Sequence, residues 1–278
     1  MINYIKSSFS KDSLLGSILF FLVLSSWYVL RPVRNEMAVS NVDELPFLLA
    51  AGAIAMLLVN PIYSWMASKS NLKKIILFCY SFLIMNLILF LFAWKFLGLG
   101  ESIWLGRIFY VWCNIYSFFV VSIFWVLIIN LFRDSNKRSF YGVIMAGGSI
   151  GALFGSEISK RFSTSFNELG LELFTLSAAL LLLLAMLLAL YILSKFQRDS
   201  NINITNAGGG GFDAIKNSIK VDEIRNIASY VWIWTALMTI QWITAISIVE
   251  EWSQNSEQRI RFFAIVEQVI SPLTLIVQ

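Results

Sequence analysis

Along this chain, uncharged apolar runs about 20 residues long alternate with short charged segments, the length that crosses a hydrocarbon layer of about 30 Å as a helix. Runs such as 13–30 and 171–193 are nearly free of charge for longer than a buried soluble helix needs. The apolar positions are continuous and do not alternate, so the pattern selects helices over the strands of a barrel, and lipid requires each helix to close its own backbone hydrogen bonds. The spacing predicts eight spans, at 13–31, 45–66, 73–94, 104–131, 139–159, 171–194, 227–249 and 262–278. The expected fold is an all-α polytopic transmembrane bundle.

One connection breaks the rhythm. Between 195 and 226 the chain carries four consecutive glycines, Gly208 to Gly211, which make a flexible joint. After them Phe212, Ile215, Ile219, Ile224 and Ile227 recur near helical spacing among charged residues, which predicts an amphipathic helix lying on the membrane surface. The chain therefore divides into a six-helix bundle (1–194), a linker with a surface helix (195–226) and two further spans (227–278). Six spans, a long joint and further spans is the layout of transporters built from two six-helix halves.

Composition sharpens this picture. Hydrophobic residues make up 58% and charged residues 14% of the 278, and mean hydropathy is +0.73, whereas globular domains carry about 25% charge. The formal charge of +4 does not argue for nucleic acid, because the basic residues flank the spans. Thirteen of the 21 lysines and arginines fall on the side of the amino terminus, which the positive-inside rule assigns to the cytoplasm. A multi-pass membrane protein with its amino terminus cytoplasmic is expected, with the lipid bilayer as its first partner.

The chain has no histidine, so the commonest general base and metal ligand are absent. Cys79 and Cys113 lie inside apolar runs, which argues against a disulfide or metal site. No phosphate loop is present, since Gly208 to Gly211 are not followed by Lys-Ser or Lys-Thr. No catalytic residue, metal or cofactor is expected, and an enzyme is disfavoured.

Candidate chemistry gathers at the end of the first span, Tyr28 to Met37. Arg31 and Arg34, three residues apart, share a helix face and suit an anion, with Asn35 and Glu36 beside them. If the helix continues through Pro32 to about Val39, Arg31 lies inside the protein; if it ends at Leu30, both arginines snorkel to the interface. In the eighth run Glu267 is an intramembrane acid with Arg261 as its only cation in that run, and Glu157 near the end of the fifth span has Lys160 and Arg161 within reach. Gly147, Gly151 and Gly155 recur every fourth residue, a spacing for close helix packing or gating. Asn60, Asn86, Asn114 and Asn130 are expected to bond between helices.

Tyr28 to Met37, Arg133 to Arg138 running into Ala146 to Gly155, and Arg261 to Leu275 around Glu267 together resemble bacterial members of the ATP/ADP translocase-like (nucleotide antiporter) branch of the major facilitator superfamily. The resemblance implies a twelve-span transporter with both termini cytoplasmic, of which this chain covers a C-terminally truncated two thirds. It also places Arg34 and Asn35 where these carriers have a basic residue and an acid tied to nucleotide phosphate, and Glu267 where relatives carry an acid. Departures are the amide at Asn35 and the loop Ser64 to Lys74, where Ser68 stands at the usual aspartate and the glycines are missing. The expected function is secondary active transport of a small anionic solute, a nucleotide or phosphorylated metabolite, by alternating access, with Arg31, Arg34, Asn35, Glu36 and Glu267 at the binding site. The alternative is a non-transporting membrane scaffold or adaptor.

Overall fold

The structure, a computed structural model, describes residues 11–69, 71–98, 102–131, 139–199 and 220–277. The glycine joint, residues 212–219 of the expected surface helix and the basic segment Arg133 to Arg138 lie outside the described residues. The described chain is almost entirely helical: α1 (Lys11–Val39), α2 (Leu45–Lys69), α3 (Leu72–Phe96), α4 (Ile103–Leu131), α5 (Ser139–Phe162), α6 (Glu172–Asp199), α7 (Asp222–Trp252) and α8 (Ser256–Val277). A 3-10 turn over Val42–Glu44 leads into α2, and a second turn with one short helical segment, Phe166–Leu169, separates α5 from α6.

Seven of these helices, α1 to α7, are long and apolar enough to cross a membrane. The eighth is not among them; its 22 residues carry Glu257, Arg259, Arg261 and Glu267. The apolar run begins near Phe262, but the helix starts at Ser256, so Arg259 and Arg261 are helical residues and not part of a connecting loop. At the other side of the joint, Ile224 and Ile227 already belong to α7 and not to a separate surface helix.

At 29 residues α1 is about 43 Å long at 1.5 Å per residue. It continues through Pro32, although proline removes the hydrogen bond to the Tyr28 carbonyl. Leu19, Val23, Val29, Leu30 and Val33 are fully buried, which makes α1 the hub against which α4, α5, α6 and α8 pack. Close approach to α5 depends on glycine. A Cβ at Gly147, Gly151 or Gly155 would overlap the carbonyl oxygen of Ser17, Phe21 or Ser25 respectively, so the glycine stripe of α5 runs directly along the backbone of α1. The Ser25 hydroxyl donates to the Gly151 carbonyl at 3.0 Å across this contact.

Polar side chains elsewhere stitch the core. The Ser26 hydroxyl donates to the Ala178 carbonyl of α6 at 2.8 Å and also meets the Tyr116 hydroxyl of α4. Asn86 and Asn130 donate instead to Phe82 and Val126 one turn back in their own helices, so among the described residues these two amide groups bond locally and not between helices.

The last two helices meet the first six at one end. In α7 only Ile246 and Val249, near its finish, are buried, while Tyr230, Trp232 and Trp234 near its start are exposed. In α8 the buried positions run from Arg259 to Ser271, and Leu273 and Ile276 beyond them are exposed. This junction lies beside the Val39 end of α1.

Candidate functional site

Residues Arg31 to Val39 of α1, with Ser40 just beyond its end, meet α8, α7 and α4 at this junction, and helical periodicity aims successive side chains at different neighbours. Arg31 reaches α8: its Nη1 donates to Glu267 Oε2 at 3.1 Å and to the Tyr28 hydroxyl at 3.0 Å. Its guanidinium also lies 5.1 Å from the centre of the Tyr28 ring. The Arg31 side chain is 34% exposed, whereas Glu267 is 6% exposed, so the acid is the more deeply enclosed partner.

Arg34 turns toward α4 and α7. Its Nη1 donates to Asn35 Oδ1 at 3.0 Å and its Nη2 to Asn114 Oδ1 at 2.8 Å. The guanidinium carbon lies 4.8 Å from the centre of the Tyr110 ring and 4.9 Å from that of Trp242, and these two rings are 6.3 Å apart and near parallel. Such contacts stabilise a cation by roughly 0.5–2 kcal/mol each without cancelling its charge. Among the described residues no carboxylate is ion-paired with Arg34, and its buried Nε has no hydrogen-bond partner.

Glu36 is enclosed completely. Its Oε1 accepts from Arg259 Nη2 at 2.8 Å and from the Ser40 hydroxyl at 2.8 Å, with side-chain exposures of 1% for Glu36 and 7% for Arg259. Asn35, 5% exposed, serves as the acceptor beside Arg34. On α5, Glu157 pairs with Lys160 at 3.0 Å and Arg161 at 2.8 Å, and Gln268, the neighbour of Glu267 in α8, joins the cluster by donating to Glu157 at 2.5 Å.

The structure therefore brings Arg31, Arg34, Asn35, Glu36 and Glu267 into one junction. It places Gly147, Gly151 and Gly155 away from these side chains, along the interface of α1 and α5. Four participants carried no clear signal in the sequence. Arg259 reads as a loop cation, Tyr110 and Trp242 as two of many apolar aromatics, and Asn114 as one of several buried amides. Only the rotation of α4, α7 and α8 against α1 selects them.

Chemically, the described residues of the junction include two ion pairs, Arg31–Glu267 and Glu36–Arg259, and the Arg34 guanidinium, which has no acid partner among them. Among the described residues no group of three or more metal-ligating side chains converges. Comparison with known proteins adds no assignment: no family model matches the chain, and no curated protein or solved structure matches it.

Proposed function

We propose that this chain is part of a secondary active transporter that moves a small anionic solute, such as a nucleotide or phosphorylated metabolite, by alternating access. The observation that carries the reading is Arg34. A fixed positive charge inside a membrane helix is costly unless compensated, and this one has two amide oxygens, two aromatic faces and a free Nε but, among the described residues, no acid. A phosphate or carboxylate is the partner that a forked guanidinium accepts. Asn35 and Asn114 hold the fork in place, and Trp242 brings the later helices to the same point.

The one-ended junction supports a rocking mechanism. Ties between α8 and the first bundle, Arg31–Glu267, Glu36–Arg259 and the Glu157–Gln268 contact, gather beside the Val39 end of α1, while the start of α7 and the finish of α8 stand clear. In this reading the helices form a major facilitator-like half plus the first two spans of a second half, the amino terminus is cytoplasmic, and the ties close the outer side.

The second reading is a membrane scaffold in which charge only fixes packing. It draws on the other four charged groups, Arg31, Glu267, Glu36 and Arg259, which are all paired within the protein. Uptake by proteoliposomes holding the purified full-length protein separates the two, with labelled nucleotides, sugar phosphates and amino acids offered in turn. Saturable uptake of a phosphate-bearing solute, lost in Arg34→Ala while folding is intact, is expected. Folded protein that takes up none of these solutes overturns the transporter reading.

A further inference from the structure

Beside the charged junction, α2 and α4 leave an open groove between them, about 520 Å³ in volume and lined mainly by apolar side chains. Phe47 and Ala51 of α2 face Trp104, Ile108 and Ile115 of α4, so both walls run from the helix ends into the apolar spans at helical spacing. Phe47, Trp104 and Ile108 are exposed. A slot of this direction and lining fits an acyl chain lying parallel to the helices.

The rim of the groove is charged, and with both signs. Glu44, at the turn before α2, and Arg107, one turn into α4, approach to 3.9 Å, looser than a hydrogen-bonded pair. Asn41 accepts from Arg107 Nε at 2.9 Å, which anchors the guanidinium, and its Nη2 is the atom that approaches Glu44. The Trp104 ring lies 5.1 Å from the same guanidinium. An indole and an arginine at the ends of apolar spans sit at headgroup depth.

We infer that this groove binds a zwitterionic aminophospholipid, with its phosphate on Arg107, its primary ammonium on Glu44 and one acyl chain between α2 and α4. The argument is charge complementarity. An acidic lipid would meet Arg107 but place its negative headgroup against the Glu44 carboxylate, and a headgroup with a quaternary ammonium has no N–H to donate to Glu44. A primary ammonium joined to a phosphate satisfies both rim residues, and at 3.9 Å the Glu44–Arg107 contact is not a hydrogen bond that such a headgroup must first break. The site is independent of the transport reading, since it shares no side chain with the Arg34 junction.

Native mass spectrometry of the full-length protein in mild detergent tests this, with phosphatidylethanolamine, phosphatidylglycerol and phosphatidylcholine added at equal concentration. Phosphatidylethanolamine adducts are expected to exceed each of the others by about tenfold, the equivalent of one charge-assisted hydrogen bond. Arg107→Ala and Glu44→Gln should each bring the three lipids to parity. Ala51→Phe, which fills the groove without touching the rim, should remove the retained lipid while leaving the melting temperature in place. Equal retention of all three lipids by the unaltered protein overturns the inference, as does undiminished phosphatidylethanolamine binding in the Ala51→Phe variant or a dimer that covers the groove.

Discussion

Glu36 and Arg259 stand 223 positions apart in the chain and meet at 2.8 Å, with almost no exposure of either side chain. Taking two ions out of water is expensive, and the pair is tolerable only because each neutralises the other. Removing one partner therefore costs more than the pair itself contributes. Glu36→Ala or Arg259→Ala is expected to destabilise the protein by about 3–5 kcal/mol, while the double replacement Glu36→Gln with Arg259→Met is far milder. Denaturant unfolding in detergent measures this, and equal losses in all three variants would contradict it.

The neighbouring pair should respond asymmetrically. Glu267 is enclosed, whereas a third of the Arg31 side chain remains exposed. Arg31→Ala leaves a buried carboxylate without its cation, but Glu267→Ala leaves an arginine that can swing its long side chain toward water. The melting temperature is expected to fall further for Arg31→Ala than for Glu267→Ala. The reverse order would mean that Glu267 is reached by solvent more readily than its burial indicates.

Glycine substitutions in α5 separate close packing from helix propensity. Gly151→Ala adds a methyl where the Phe21 carbonyl already sits, and α1 must move away to admit it; a cost of at least about 1–3 kcal/mol is expected. Gly142, in the same helix, has open space around it, so Gly142→Ala should be neutral or stabilising by up to about 1 kcal/mol. Thermal unfolding of the two variants side by side decides the point.

At Arg34, lysine keeps the charge but loses the fork. Its single ammonium cannot hold both Asn35 and Asn114 and still present a nitrogen to a ligand. Arg34→Lys is expected to weaken solute binding by about 10- to 100-fold, the equivalent of one hydrogen bond to a charged group, and Arg34→Ala to abolish it. Isothermal titration or competition in the uptake assay gives the ratio. Full binding by the lysine variant would mean that charge alone is read.

Sequence by itself determined that the chain is helical and built for a membrane, because run length, freedom from charge and the need to close backbone hydrogen bonds are all properties of one segment at a time. It also drew attention to Arg31, Arg34, Glu36 and Glu267, since an ion within an apolar run is anomalous wherever the run finally packs. The continuation of α1 through Pro32 stayed open at that level. Tertiary structure decided it: Leu30, Val33 and the side chains beyond them are buried against neighbouring helices, and that packing outweighs the lost hydrogen bond. Structure alone also chose Arg259 as the partner of Glu36, and Tyr110 and Trp242 as the walls around Arg34. Such pairings depend on how far each helix is rotated and how deeply it sits against the others, and no periodicity within a single segment encodes the angle between two.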